Sequence, residues 1–139
     1  PTISGQDDIL ITINPGWQEG VASSIRTGLT EIERDDHISD VIVMLCDQPF
    51  VDAALLRKLI LTKQQSGKKI VACSYAGAVG VPVLFDRILF AKLQKLHGKD
   101  GVKKILKDQP NDIATVEFSK GAIDIDTKDY YDHLLSHAD

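Results

Sequence analysis

The most constraining feature of this sequence is the alternation of short β-rich runs with segments of helical periodicity. Residues 9–13 (ILITI) and 41–45 (VIVML) are apolar runs that lead into turn clusters containing proline. Between them, over residues 20–34, apolar residues recur every three or four positions, which is typical of an amphipathic helix. Strands separated by helices of about 10 to 15 residues are typical of βαβ units. The pattern predicts an α/β fold with a mostly parallel sheet and flanking helices.

The same alternation continues along the rest of the chain. A second helix is predicted over residues 52–66, where Asp52 can cap the free amides and Gly67 ends the helix. The run at 41–45 is apolar throughout, which favours a central parallel strand covered on both faces. Further strands are predicted over residues 70–73, 81–85, 114–118 and 122–125, and further helices over residues 87–96, 100–107 and 127–137.

Composition restricts the class of protein. The length of 139 residues is typical of a single domain. The sequence has 16 basic and 20 acidic residues, which give a net charge of −4. This charge argues against a nucleic-acid partner, which requires a surplus of Lys and Arg. The longest apolar runs are about five residues, far short of the ~20 that a membrane-spanning helix needs. Cys46 and Cys73 follow no metal spacing, which favours a reduced, cytoplasmic protein.

Carboxylates follow two of the predicted strands. In open α/β sheets, ligands bind at the carboxyl ends of the strands. There, Asp47 can hold a divalent cation against phosphates, or it satisfies the amides of its own turn. Asp124 and Asp126 are two residues apart, so in an extended chain they share a face and repel unless a cation lies between them. Alternatively, Asp126 caps the last helix.

Two further segments have hydrogen-bonding or charged character. Residues 14–24 (NPGWQEGVASS) lead into a helix N-terminus, whose free amides favour an anion or a nucleobase edge. The alternative is an ordinary capped helix with Ser23 or Ser24 in its first turn. The segment lacks the GxxxxGK[ST] pattern of a P-loop. Lysines on or beside the helix at 100–107 form an anion patch or, more simply, a solvated face (Lys99, Lys103, Lys104, Lys107).

Four motifs in order resemble those of the MobA-like NTP transferases, most closely the molybdenum cofactor cytidylyltransferase branch. Residues 14–29 are similar to that family's NPxWxxGxxSSxxxGL, and residues 45–49 (LCDQP) to its LxDQP. Residues 80–85 (GVPVLF) resemble GxPxLF, and residues 124–130 (DIDTKDY) resemble DIDTPEDY. The resemblance implies a Rossmann-like α/β fold. It also implies transfer of a nucleotidyl group from an NTP, with CTP favoured, to a phosphate-bearing acceptor such as molybdopterin, with release of pyrophosphate.

The resemblance also assigns roles to residues. Asp47 is implied as the catalytic residue and principal Mg²⁺ ligand, with Asp126 or Asp124 as the second carboxylate on the metal. By the same resemblance, two residues lie near the nucleobase and two shape the acceptor side (Gly20 and Ser24; Gly80 and Pro82).

The sequence departs from the family in three places. The N-terminal LAAGxSxRxGxxK loop, which wraps the triphosphate, does not occur, so the resemblance predicts that residues 1–139 are the C-terminal two thirds of one domain. Such a chain is expected to be inactive alone and to have an open sheet edge, which a partner chain or a strand-swapped dimer covers. Lys99 replaces the Asp of the family's GDxGA, and Lys128 stands where members have Pro-Glu.

Two other functions are compatible with the sequence. One is a binding module without turnover, which recognises a nucleotide or a protein partner in molybdenum-enzyme maturation. The other is a glycosyltransferase that uses Asp124-Ile125-Asp126 as a metal and sugar-nucleotide motif. The latter leaves the segments at Asp47 and at residues 80–82 without a role.

Overall fold

The computed structural model describes residues 9–75 and 77–118, which form a four-stranded sheet between two helical layers. The strands are β1 (Asp40–Val43), β2 (Ile70–Tyr75), β3 (Ala78–Asp86) and β4 (Ile113–Glu117). The helices are α1 (Val21–Glu33), α2 (Ala53–Ser66), α3 (Phe90–Leu93) and α4 (Val102–Asp108). Short 3₁₀ turns occur at Trp17–Glu19, Arg87–Leu89 and Pro110–Asp112. The predicted α/β fold is confirmed.

The sheet is mixed, with the spatial order β1-β3-β2-β4. β2 and β4 pair in parallel, whereas β3 pairs antiparallel with both β1 and β2. The parallel predominance expected from the sequence is therefore not seen among the described strands. The physical reason is the short turn at Gly77, where a φ of 75° allows the chain to reverse directly from β2 into β3.

Alternate residues of the sheet face two separate cores. On one face, Ala72, Val83 and Phe85 pack against α1, α3 and α4. On the other face, Val71 and Leu84 pack against α2. Because successive side chains of a strand point to opposite faces, apolar runs such as 70–73 supply both cores at once.

The ends of α2 follow the sequence expectations. Asp52 caps the helix by accepting a hydrogen bond from the Leu55 amide at 2.9 Å. Gly67 ends it in the left-handed conformation, with φ at 70°, and its amide donates to the Lys63 carbonyl. The helix predicted at 87–96 is instead a 3₁₀ turn followed by the short α3.

Two expectations about the first half of the chain are wrong. Residues 9–13 form no strand, and Leu10, Ile11 and Ile13 are 73%, 65% and 83% exposed. A strand requires a neighbour for its backbone groups, and no described strand lies beside this segment. The run at 41–45 is not central, because β1 ends at Val43 and lies at the edge of the described sheet.

Several predicted features lie outside the described residues. They are the strand at 122–125, the helix at 127–137, and the carboxylates Asp124 and Asp126. Across residues 9–75 and 77–118, none of the helices combines the length and apolar character that a bilayer crossing requires.

Candidate functional site

A cavity of about 580 Å³ lies between α1 and the β1 side of the sheet. Its walls are mainly apolar and include Leu29 of α1 and Val43 of β1. Its polar side chains are Ser24, Tyr75 and Lys103. Cavities of this kind, apolar with a few polar groups, are typical of small-molecule sites.

The Asn14 side chain organises the loop that enters α1. Its amide nitrogen donates to the hydroxyl oxygens of Ser23 and Ser24, at 2.9 and 3.1 Å, and its oxygen accepts from the Gly16 amide at 2.9 Å. The Ser23 hydroxyl lies within 3.0 Å of the Gly16 carbonyl and 2.8 Å of the Gly20 carbonyl, so it donates to one of them at a time. Ser24 is therefore fixed by Asn14 at the cavity wall.

Gly20 lies where this loop meets the turn before α4. Its φ is 130°, and a Cβ added there would lie 2.3 Å from the Gly98 carbonyl oxygen. The Gly98 carbonyl accepts from the Ala22 amide at 3.2 Å, in the first turn of α1. Only glycine permits both the backbone conformation and this close approach.

A charged pair reinforces the same junction. The Glu19 carboxylate accepts from both terminal nitrogens of Arg26 and, at 2.9 Å, from the Gly98 amide. Arg26 also donates to the Leu96 carbonyl at 2.5 Å. Hydrogen bonds from Arg26, and then from Gly98, lower the pKa of Glu19 to about 2.

Gly80 and Pro82 lie at an irregular point of β3. The register with β2 shifts there, since Ala72 is opposite Val83 while Cys73 is opposite Gly80. Pro82 has no N–H to donate to a ladder, so it is accommodated at the bulge. Gly80 is buried, and a Cβ added to it would lie 2.5 Å from the Tyr75 hydroxyl oxygen.

Asp47 is exposed and lies in the loop that follows β1. The adjacent Gln48 donates from its side-chain nitrogen to the Val81 carbonyl at 3.0 Å, so the loop is attached to β3. Within residues 9–75 and 77–118, no three His, Cys, Asp or Glu side chains come together as metal ligands. A single carboxylate nevertheless suits Mg²⁺, which is usually held by one or two carboxylates together with waters and substrate phosphates.

The structure thus brings together part of the predicted site. Ser24 lines the cavity itself, and Val81, between Gly80 and Pro82, also lines it. Asp47 does not line the cavity, although Leu45, two residues before it, does, and Gly20 packs on the Gly98 turn rather than lining the cavity.

Sequence reasoning did not single out Tyr75 or the bond between Glu19 and Arg26. Tyr75 is the last residue of β2, so the rule that ligands bind at the carboxyl ends of strands would have found it. The ion pair between Glu19 and Arg26 carries no local signal, because its role depends on the distant Gly98.

Comparison with known proteins identifies relatives. Residues 2–113 match the model of the MobA-like NTP transferase domain. The Purine catabolism protein PucB of Bacillus subtilis (strain 168) is 25% identical over 118 residues, which are 83% of this chain and 56% of PucB. The chain therefore spans little more than half of this relative's length.

Three solved structures are similar to this chain in both fold and sequence. The homologue of Mycobacterium tuberculosis Rv0371c from Mycobacterium sp. strain JC1 superposes with a TM-score of 0.67 at 30% identity, over 82% of this chain and 56% of that one. Rv0371c of Mycobacterium tuberculosis H37Rv gives 0.67 at 33% identity, over 83% and 59%. Its complex with manganese gives 0.65 at 33%, over 81% and 60%. Since the family model matches most of the chain, this protein belongs to the MobA-like NTP transferase family.

Proposed function

We propose that this chain is part of a Mg²⁺-dependent nucleotidyltransferase that transfers CMP from CTP to a phosphate-bearing acceptor such as molybdopterin. The observation that carries the proposal is the bond between Gln48 and the Val81 carbonyl. It holds the loop of Asp47 beside the bulge at Gly80 and Pro82, at the cavity that Ser24 lines from the other side.

In the proposed reaction, an oxygen of the acceptor phosphate attacks the α-phosphorus of the nucleotide in line. The bond from the α-phosphorus to the bridging oxygen breaks, and pyrophosphate leaves with the electron pair. A bound Mg²⁺ would neutralise part of the charge that develops on the phosphate oxygens. Phosphoryl chemistry of this kind requires positioning and charge stabilisation, so no nucleophilic side chain is needed.

The roles proposed for this chain's residues follow from the motifs that they share with the family. Asp47 holds the cation, with Asp124 or Asp126 as the second carboxylate. The manganese complex of Rv0371c supports a divalent cation in this family. Gly20 and Ser24 lie near the nucleobase, while Gly80 and Pro82 shape the acceptor side. Asn14 acts on Ser24 as a positioning residue through its hydrogen bond.

The first experiment compares Asp47→Asn with Asp36→Asn in the complete protein that contains this chain. Both carboxylates are exposed, so neither change should alter the fold. We expect Asp47→Asn to reduce the rate of pyrophosphate release by about 100-fold or more, because charge stabilisation is the main contribution to this chemistry. Asp36→Asn should leave the rate unchanged. Equal rates for the two variants at saturating Mg²⁺ would overturn the role of Asp47.

The second experiment identifies the nucleotide. CTP, GTP and ATP, each with Mg²⁺, are titrated calorimetrically into the complete protein. We expect the tightest binding for CTP. Preferential binding of GTP or ATP would correct the base, and release of a nucleoside diphosphate instead of pyrophosphate would favour a glycosyltransferase.

The 139-residue chain alone is proposed to be inactive. Two observations support this: the sequence contains no LAAGxSxRxGxxK loop, and the chain spans 56% of PucB. Turnover by the purified 139-residue chain would refute it. We also propose that the protein is cytoplasmic, since both cysteines are free and burial raises the pKa of Cys73 to about 11, which makes it an unreactive thiol.

The same two observations favour a second candidate, a module that binds a nucleotide or a protein partner without turnover. Nucleotide binding by the complete protein, with no pyrophosphate release in the presence of any phosphate-bearing acceptor, would favour this module over the enzyme.

A further inference from the structure

One charged side chain reaches the cavity between α1 and the sheet. Among the described residues that line this cavity, Lys103 is the only charged one. The neighbouring Lys104 does not line the cavity and instead pairs with Asp100 at 3.5 Å. In the part of the chain that the structure describes, Lys103 has no carboxylate partner. Of the lysines on or beside the helix predicted at 100–107, Lys103 is therefore the one placed to bind an anion in the cavity.

Tyr75 offers a second hydrogen-bond donor at the same cavity. It is the last residue of β2, and its ring meets that of Phe118 edge to face, with the ring centroids 6.3 Å apart. This contact restricts where the hydroxyl can lie. No group of the described residues forms a hydrogen bond with this hydroxyl. Burial raises the pKa of Tyr75, so the hydroxyl keeps its proton near neutral pH and can donate a hydrogen bond to a ligand.

Gly80 brings the two donors together. A Cβ added at this position would lie 2.5 Å from the Tyr75 hydroxyl oxygen and 3.7 Å from Cε of Lys103. The hydroxyl and the end of the lysine side chain therefore approach the same point, which is open because residue 80 has no side chain. The three residues lie on β2, β3 and α4, so contacts within the described chain set their arrangement and the outer edge of β1 takes no part in it.

An ammonium and a hydroxyl that approach one point suit an oxyanion. A lysine ammonium is a common ligand of phosphate, and a hydroxyl can donate a second hydrogen bond to the same group. The surrounding walls are mainly apolar, which strengthens the attraction between charges relative to water. Val81, which follows Gly80, accepts the hydrogen bond from Gln48 that attaches the loop of Asp47. A phosphate at Gly80 would therefore lie beside the point where that loop is attached.

We propose that Lys103 and Tyr75 bind the phosphate group of the acceptor, in the space that Gly80 leaves open between them. The ammonium supplies the charge, and the hydroxyl fixes the direction of one phosphate oxygen. This role rests on the proposed nucleotidyl transfer, in which an oxygen of that phosphate is the nucleophile.

The first test measures phosphate binding without catalysis. Inorganic phosphate is titrated into the complete protein that contains this chain, with no Mg²⁺ or nucleotide present, and the width of its phosphorus magnetic-resonance line reports binding. Lys103→Met removes the charge but keeps a long side chain. Lys107→Met makes the same change one turn later in α4, where the side chain is exposed and does not line the cavity. We expect Lys103→Met to weaken binding by about 10-fold or more, Tyr75→Phe by about 3-fold, and Lys107→Met not at all.

The second test separates the acceptor from the nucleotide. In steady-state assays of pyrophosphate release from CTP and molybdopterin, Lys103→Met should raise the KM for molybdopterin by about 10-fold or more and leave the KM for CTP unchanged. Lys103→Arg keeps the charge and should recover most of the lost affinity. Circular dichroism and melting temperatures should be the same for the lysine variants, because both substituted side chains are exposed.

The outcomes distinguish the phosphate site from the proposed reaction. Equal phosphate binding by Lys103→Met and Lys107→Met would overturn the site, and a raised KM for CTP alone would overturn its assignment to the acceptor. If the unmodified protein released no pyrophosphate with any nucleotide while its phosphate binding still depended on Lys103, the nucleotidyl transfer would be overturned and the phosphate site would stand.

Discussion

Glu19, in the 3₁₀ turn before α1, and Arg26 of α1 form a two-pronged ion pair with oxygen–nitrogen distances of 2.6 and 3.0 Å. The pair is also bound to the turn before α4, because Glu19 accepts from the Gly98 amide and Arg26 donates to the Leu96 carbonyl. It therefore joins the loop at residues 14–20 to the turn at residues 96–98.

We predict that Glu19→Gln lowers the thermal stability of the protein in a pH-dependent way. Hydrogen bonds from Arg26 and Gly98 lower the folded-state pKa of Glu19 to about 2, from about 4.5 in the unfolded chain, so its stabilising contribution is fully present above about pH 4.5. The contribution is lost as the pH falls towards the folded-state value. Melting temperatures of the variant and the unmodified protein should differ at pH 6 and converge near pH 2.

Glu31→Gln is the matched control, since Glu31 pairs at 3.3 Å with the largely exposed Arg34, three residues further along the chain. Exposed pairs of this type contribute little. A pH-independent effect of Glu19→Gln, or an equal effect of Glu31→Gln, would contradict the prediction.

Substitutions at two glycines should have opposite effects. Gly20→Ala should destabilise the protein by at least about 2 kcal/mol, because its φ is 130° and the new Cβ would meet the Gly98 carbonyl oxygen. Gly28→Ala, within α1, meets nothing within 4 Å and should stabilise by about 0.5–1 kcal/mol. Urea unfolding of both variants tests this, and similar midpoints would contradict it.

Gly80 and Tyr75 should be energetically coupled. Gly80→Ala should cost about 1–3 kcal/mol, because its Cβ would lie 2.5 Å from the Tyr75 hydroxyl oxygen. Tyr75→Phe removes that oxygen, and the nearest remaining ring atom would be 3.3 Å away. In a double-mutant cycle of unfolding free energies, Gly80→Ala should therefore cost much less in the Tyr75→Phe background. Strictly additive effects would show that the hydroxyl does not lie against Gly80.

Lys63 should be more important for stability than its neighbour Lys69. The Lys63 ammonium lies 2.5 Å from Asp40 and 2.6 Å from Asp86, and it links α2 to β1 and β3. Burial opposes its charge, but hydrogen bonds to the two carboxylates outweigh this and raise its pKa.

Lys63→Met removes the cation between these carboxylates and leaves only the more distant Lys69 ammonium near Asp86, so it should cost about 2 kcal/mol at pH 7. Lys69 is half exposed and 3.9 Å from Asp86, so Lys69→Met should change stability by less than about 0.5 kcal/mol. Chemical denaturation of both variants provides the comparison, and equal losses would contradict it.

Local signals in the sequence predicted most of the elements. The cap at Asp52, the stop at Gly67 and the apolar run of β2 depend on neighbours in the chain, and the structure contains all three. The segment at 9–13 has an equally strong local signal but forms no strand, because a strand depends on a partner that the described sheet does not provide.

Sequence motifs predicted which residues to consider for the site, but not the hydrogen bonds that join its segments. The motifs identified Ser24, Asp47 and Gly80 as candidates, but their roles stay predictions. The bond from Gln48 to Val81 joins residues 33 positions apart, and the one from Glu19 to Gly98 joins residues 79 apart. Pairings at such separations follow from the packing of whole elements, so no local pattern reveals them.

The bulge in β3 has a consequence for the loop of Asp47. Val81 has no partner residue in either β1 or β2. Its carbonyl is therefore free to receive the side chain of Gln48. In a regular strand, that carbonyl would accept a hydrogen bond from a neighbouring strand, and the loop would lose its attachment to β3. The loop that carries Asp47 is thus held in position because the pairing of β3 with its neighbours is interrupted at Val81.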